Sequence, residues 1–462
     1  MNYETTNKNV SIYLPELSLK KKLYHLIRRN KLIFLPCICL FTLLLIQING
    51  YGQKKMTLQD SLRFAPVPQI DLFDVIRKWT GKPAKIPTET PKRGEKNLSL
   101  LPILGYSPAN GFVIGGAVSV TEYHGDPKNT RLSSALVNVS LTTKEQILLN
   151  LRFDYFTSEN KWYITGDNRL LFFAQPTYGL GIYGLQNQTY HFSVNGGDVS
   201  RTDSAQPMRF NYIRLYETFS KHIYKKWYAG VGLMFDIDFN IKDQSLSLDS
   251  PQHLTSHYVY SKAYGFDTAH YSANGLSFQV INDSRDNPIN AYSGSYLNVA
   301  FRVNPIAFGS TQSSTMLYYD LRKYIGVSKR IPRNVLAFWF WGVLNTSGSV
   351  PYLALPAITW DTYNRSGRGY IQGRFRGTNM VYEEAEFRYR ISRNGLFGGV
   401  VFANFTTASN PLTGQKVFNS VAPGYGVGLR IMMNKTDRTN IAIDYGRGDG
   451  FAGIYFNIRE AF

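Results

Sequence analysis

Cysteine is nearly absent from these 462 residues. Cys37 and Cys39 are the two present, and both lie inside one apolar segment, 32–48. A mature chain without that segment has no thiol, which excludes disulfides, thiolate metal sites and cysteine nucleophiles together. Phe34-Leu35-Pro36-Cys37 lacks the small residues of a lipoprotein signal, so no lipidation is expected. Beyond the N-terminal region no run approaches the roughly 20 apolar residues of a spanning helix, and a helical membrane protein is excluded. No GxSxG occurs, which excludes a patatin-like or α/β-hydrolase site of standard form. The seven histidines (His25, His124, His191, His222, His253, His257 and His270) include no HExxH zincin motif. His253 and His257 are four apart but fall in an expected external loop without helical signal, and His222 has no evident serine partner. No metal, cofactor or enzymatic activity is expected.

Aromatic residues, by contrast, are abundant: 32 Tyr, 29 Phe and 6 Trp, with 39 glycines and a mean hydropathy of −0.23. The length fits two or three soluble domains or one large barrel. Richness in tyrosine and phenylalanine without long aliphatic runs favours a barrel with aromatic girdles. The formal charge is +19, of which residues 1–52 supply +5 through Lys8, Lys20, Lys21, Lys22, Arg28, Arg29 and Lys31 against Glu4 and Glu16. The remaining +14 is spread along strands and loops rather than clustered. Basic lumen walls and anionic lipid headgroups are the expected uses of that charge, and nucleic-acid binding is not expected.

The basic run at 20–31, the apolar 32–48 and the small residues at 49–53 make the pattern of a secretory signal peptide, residues 1–52, cleaved after Gly52. The competing reading is an uncleaved anchor. Residues 53–97 form a short periplasmic arm in which 71–79 reads as a capped amphipathic helix. It is expected to rest on the barrel's periplasmic rim or to plug its mouth. The Pro/Lys/Thr-rich stretch 82–96 follows as an extended linker.

Residues 98–462 carry period-two alternation. The clearest case sets Ile147, Leu149, Leu151, Phe153 and Tyr155 on one face and Asn150, Arg152 and Asp154 on the other. Sixteen such segments start near residues 111, 132, 146, 161, 178, 209, 226, 273, 293, 311, 333, 380, 396, 421, 438 and 450. The fold class is therefore all-β, a sixteen-stranded antiparallel transmembrane β-barrel with a short N-terminal periplasmic arm. With a periplasmic N-terminus the long connections, about 186–208, 241–271 and 346–379, all face outward. Lys144-Glu145, Tyr224-Lys225 and Asn434-Lys435-Thr436-Asp437 are expected as short turns on the opposite side. Gly179-Leu180-Gly181-Ile182-Tyr183-Gly184 fits GxGxxG but has no helix after it, and reads as close packing within a strand.

One stretch, 366–390, stands out. Its first half has four glycines and three arginines between Gly367 and Gly377. Its second half puts Val381, Ala385, Phe387 and Tyr389 on one face and Glu384, Glu386, Arg388 and Arg390 on the other. That strand suits a wall between lipid and a polar lumen, and loop arginines folding back onto lumen acids would hold the loop inside. An ordinary exposed loop leading into an amphipathic strand is the alternative. At the end of the chain Ile454, Phe456, Ile458 and Phe462 share parity, interrupted by Glu460.

Taken together, these stretches resemble the BamA/TamA family of outer-membrane barrels, the bacterial surface antigen superfamily. Leu101-Pro102-Ile103-Leu104-Gly105-Tyr106-Ser107-Pro108-Ala109-Asn110-Gly111 looks like the beginning of the family's barrel. Arg285-Asp286-Asn287-Pro288 looks like its mid-barrel turn, Arg368-Gly369-Tyr370 like the motif of its sixth external loop, and Glu386-Phe387-Arg388 like the strand after it. The C-terminal phenylalanine resembles the signature read by the barrel-insertion machinery. The resemblance implies that Arg368 approaches Glu386, with Glu384 beside it. The strand-thirteen motif is altered, with Asn404 where the family has an acid, so the anchor is expected to rest mainly on Glu386. The 45 residues ahead of the barrel are too few for a POTRA domain, which resembles the subset lacking one.

The implied place is the outer membrane of a Gram-negative cell. The implied role is assembly or translocation of outer-membrane proteins, with lipid, the insertion machinery and client proteins as partners. A seam between the first strand, near 111–123, and the last, 450–462, would open to a client strand. The rival expectation is a passive channel or ligand transporter, its lumen biased toward anions by Arg152, Arg388 and Arg390.

Overall fold

The computed structural model describes residues 10–12, 67–81, 92–107, 111–182, 192–194, 197–198, 205–249, 254–328 and 331–462. The expected leader lies outside the described residues, apart from Val10–Ile12, which pairs with Phe192–Val194 in a small three-stranded sheet.

Among the described residues sixteen strands make one antiparallel sheet, each paired with its neighbours in sequence. They are β1 (Asn97–Ser107), β2 (Gly111–Glu122), β3 (Ser133–Thr142), β4 (Ile147–Phe156), β5 (Trp162–Thr177), β6 (Gln206–Tyr224), β7 (Trp227–Asp243) and β8 (Tyr271–Asp283). The second half comprises β9 (Gly294–Asn304), β10 (Ser314–Gly326), β11 (Val335–Gly348), β12 (Asn379–Arg390), β13 (Phe397–Ala408), β14 (Ala422–Asn434), β15 (Thr439–Gly448) and β16 (Phe451–Ile458). β16 comes to lie beside β1, which rolls the sheet into a barrel. No ladder joins these two strands among the described residues.

Side chains alternate across the wall. On β14, Tyr425 and Val427 face outward, 57% and 54% exposed, while Arg430 and Met432 are buried toward the lumen. Trp162, Tyr224 and Trp227 stand exposed at the short-turn end of β5–β7, where amphipathic rings meet headgroups. The connections after β5, β7 and β11 are the long ones, 178–205, 244–270 and 349–378, and all leave the same end. β5–β7 run 16, 19 and 17 residues. They overshoot the roughly 9–11 that cross a bilayer and carry the wall out under the long loops.

Two expectations about where the barrel starts are corrected, and they cancel in the count. The first strand is Asn97–Ser107, and the segment near residue 111 is the second. Pro102 argues against a strand because it has no N–H to donate; β1 tolerates it because its far edge has no ladder partner. No strand starts near residue 178 among the described residues. β5 runs on to Thr177, after which Gly179 and Gly181 both take a φ of 86°, a left-handed conformation that ends the extended run. The described part of the GxGxxG stretch, 179–182, is thus a turn and not strand packing, and the rest lies outside the described residues. The same shift moves Lys144-Glu145, which joins β3 to β4, to the long-loop end.

α1 (Leu72–Trp79) begins at Asp71, which accepts from the Asp74 amide at 2.8 Å while Asp74 reaches back to form a capping box. Lys435, in the β14–β15 turn, donates its amide to Asp71 at 3.0 Å and its ammonium to Asp74 at 2.6 Å. The Ile70 amide donates to the Asn394 carbonyl in the β12–β13 turn, and Phe73 packs against the Ala117–Met433 cluster. These contacts fix the helix to the short-turn rim.

Candidate functional site

The long loop 349–378 does not stand out in solvent; it folds into the barrel, and Arg368 is its deepest charge, 2% exposed. β12 has to supply two inward acids, and period two does so at Glu384 and Glu386. Arg368 donates through Nη2 to Glu384 at 2.5 Å and to Glu386. It also donates through Nη1 to Asp444 of β15 at 2.8 Å. Its guanidinium carbon sits 3.7 Å from the centre of the Phe402 ring. Asn404 of β13 donates to the Arg368 carbonyl at 2.9 Å and to Glu384 at 3.3 Å. It therefore holds the loop by its backbone, a role that needs no charge. Glu384 also accepts from Tyr382 at 2.5 Å. A buried guanidinium with this many charge-assisted bonds fixes both position and orientation of the loop.

The next two residues lock the loop's backbone to β15 and β16. Gly369 donates its amide to the Tyr455 hydroxyl at 2.9 Å, and that hydroxyl donates to the Tyr370 carbonyl at 2.8 Å. Gly369 has a φ of 110°, and a Cβ on it would lie 2.8 Å from the Arg447 backbone. A Cβ on Gly446 would lie 2.7 Å from the Gly369 nitrogen, so two backbones touch with no room for a side chain on either. The Tyr370 ring lies over Gly448, and its hydroxyl donates to the Pro423 carbonyl at 2.5 Å.

Arg388 extends the same network toward the end of the chain. It donates to Glu386 at 2.6 Å and to the Phe462 carbonyl at 3.0 Å. Glu460 accepts from Arg430 at 2.7 Å and from Asn440 at 2.6 Å. Here an expectation from parity is corrected. Ile454 and Phe456 face outward, each 50% exposed, but β16 stops at Ile458 and Arg459 takes a φ of 75°. The last residues then turn into the lumen, where Phe462 stacks on Trp339 at 5.3 Å and is 6% exposed. The reason is Glu460: its carboxylate goes to buried arginines rather than lipid, and it takes Phe462 inward with it.

The mid-barrel turn lies elsewhere, at the short-turn mouth. Arg285 forks onto Asp283 at 2.8 and 3.0 Å and donates to the Pro288 carbonyl at 3.2 Å. Asp286 pairs with Arg438 of the β14–β15 turn at 2.6 Å, and Asn287 caps the amides of Ile289 and Asn290 at 2.7 and 2.9 Å. The turn thus bridges the mouth instead of joining the Arg368 cluster. At the other end, α2 (Ser256–Ala263) packs on the long loop through Tyr260, which donates to the Val350 carbonyl at 2.8 Å. His257 there bonds Asp243 at 2.8 Å and Tyr271 at 3.2 Å; His253 lies outside the described residues. No metal-holding group of three His, Cys, Asp or Glu occurs among the described residues.

Sequence reasoning missed Asp444, Arg430 and Arg365. Asp444 was findable, because Ile441, Ile443 and Tyr445 alternate with it along β15. Arg365 carried no such signal: it sits in the loop and binds the backbone carbonyls of Ile458, Arg459 and Glu460.

A family model described as the Omp85 superfamily domain matches residues 136–462. Among solved structures, a BamA from Haemophilus ducreyi lacking POTRA domains 1–3 is similar at 14% identity and a TM-score of 0.49, over 79% of this chain and 71% of that one. CdiB from Acinetobacter baumannii is similar at 13% identity and a TM-score of 0.44, over 79% of this chain and 59% of that one. At these identities and TM-scores neither speaks to what this chain does. Comparison with curated proteins finds no match.

Proposed function

The chain belongs to the Omp85 superfamily, and from that premise we propose that it works in the outer membrane in the assembly or translocation of proteins. The observation that carries this reading is the seam between β1 and β16. The other fifteen neighbouring strand pairs of the wall are laddered, yet these two strands lie together without a ladder among the described residues. Pro102 on β1 deepens that weakness. An unpaired strand edge is a template onto which a client strand can add by β-augmentation. The short-turn end, with α1, faces the periplasm in this reading.

An open anion-selective channel fits less well, because loop 349–378 and residues 459–462 fill much of the lumen. Cysteine pairs scanned along Asn97–Ser107 and Phe451–Ile458, crosslinked in cells, are expected to abolish function. Undiminished function with the seam covalently shut would sink the proposal.

A further inference from the structure

Away from the Arg368 cluster the lumen holds a cavity of about 240 Å³, bounded by the inner faces of β4–β11, by loop residues 353–365 and by residues 459–462. Six arginines line it, and three of them are neutralised within the wall. Arg214 and Arg302 meet Asp236 at 3.2 and 2.7 Å, and Arg322 forks onto Asp320 at 2.8 and 2.5 Å.

The other three, Arg152, Arg365 and Arg459, are not neutralised in this way. Arg152 has one carboxylate contact, 3.5 Å to an Asp167 oxygen that already accepts from Arg169 at 2.8 Å. Arg365, 8% exposed, spends its terminal nitrogens on the carbonyls of Ile458, Arg459 and Glu460, and its Nε donates to no protein atom among the described residues. Arg459 reaches the Ser119 hydroxyl at 3.2 Å and likewise has an Nε without a protein acceptor. The nearby acids are committed elsewhere. Asp361 accepts from the amides of Tyr363, Arg365 and Ser366, Asp154 from the Tyr163 hydroxyl, and Glu460 from Arg430 and Asn440. They soften the positive field but give these guanidinium groups no acceptor.

We propose that this cavity binds an oxyanion, a carboxylate or phosphate group on a small polar ligand, through Arg152, Arg365 and Arg459. Planar guanidinium groups fork onto such oxygens in charge-assisted pairs, and a buried, partly dry setting strengthens each bond. Tyr363, whose ring centre lies 5.0 Å from the Arg322 guanidinium and 6.0 Å from that of Arg152, gives the ligand an aromatic wall. The three arginines come from the barrel wall, the long loop and the terminal segment, so a bound anion joins all three. This site stands whether or not the seam admits clients.

The test is isothermal titration of the full chain in detergent micelles with inorganic phosphate and, separately, acetate, at constant sodium chloride. Saturable binding of at least one anion is expected, weakened tenfold or more in Arg152→Gln. Arg459→Gln serves as the second variant should the first fail to give a heat-modifiable barrel on gels. Binding of phosphate alone assigns the ligand to phosphate chemistry, and comparable binding of acetate assigns it to carboxylates. No saturable binding of either anion to the wild type, or undiminished binding in the folded variants, overturns the proposal.

Discussion

Asp444 lies 2.8 Å from Arg368, a carboxylate on β15 joined to a guanidinium on the long loop 76 positions earlier. With Glu384 and Glu386 it makes three acids on one buried base. The loop is therefore bound to β12 and β15 at once, on both sides of β13 and β14.

Replacing Arg368 with alanine leaves those carboxylates short of a partner in a buried site, a change that costs about 3–5 kcal/mol. The expected outcome is a lower temperature for the heat-modified mobility shift on gels and more antibiotic leakage in cells. Lysine recovers little, because one ammonium cannot fork onto several carboxylates. Unchanged heat stability and leakage in Arg368→Ala would remove the clamp.

The Asp444 contact is tested by a double-mutant cycle. Arg368→Ala and Asp444→Ala, alone and together, are expected to show a coupling of about 1 kcal/mol or more, within the range for residues in one ionic network. The measurement is reversible unfolding in urea and lipid vesicles. Additive effects would mean that Asp444 serves Arg430 alone, which it meets at 2.5 Å.

Gly446→Ala adds one carbon where the Gly369 nitrogen already stands 2.7 Å from the Cβ position. The nearest atoms there, from Arg368 and Gly369, are all backbone, so backbone has to move. The variant is expected to insert as a barrel and to copy the leakage of Arg368→Ala in milder form. Wild-type leakage would show that the loop rides clear of β15.

The outline of the barrel was legible in the sequence for a physical reason: lipid on one side and water on the other impose strict alternation, visible at Ile147 to Tyr155. What hid β1 was Pro102, whose cost vanishes only at an unpaired edge, and pairing is a property of the closed fold. What produced a false strand at 178 was aromatic and glycine content without the backbone angles, which Gly179 and Gly181 set to 86°. The acids of β12 could be read from period two. Their arginine could not be derived from the loop alone, where any of four bases qualified, and the resemblance supplied the choice. The inward turn at Arg459 was invisible because parity assumes that a strand continues.

The hold on α1 is a separate matter from the barrel. Lys435 and Asp74 meet at 2.6 Å with side-chain exposures of 12% and 3%. Asp74→Ala also removes the half of the capping box in which Asp74 accepts from the Asp71 amide. Trypsin is expected to cut at Lys78 faster in this variant and in Lys435→Ala, with the heat-modified mobility of the barrel unchanged. Equal cleavage rates would show that Phe73 and the Ile70 amide suffice to hold the arm.

Glu383 tests the reading of the wall from its outer side. It shares parity with Val381, Ala385 and Phe387, so it points away from the lumen, and its Oε1 has no donor among the described residues. Its cross-strand neighbours are Phe340 and Phe405, and Tyr319 stacks on Phe340 at 4.9 Å. A carboxylate there gains nothing from Arg368 and bears the cost of an unpaired charge in an apolar setting. Glu383→Gln keeps the shape and removes the charge, so its heat stability is expected to equal or exceed wild type. Glu384→Gln and Glu386→Gln, one and three residues on along the inner face, are expected to lose stability because Arg368 loses charged acceptors. A loss in Glu383→Gln as large as in those two would mean that the outer acid has a partner at the lipid boundary and that the two faces are not as distinct as the alternation makes them.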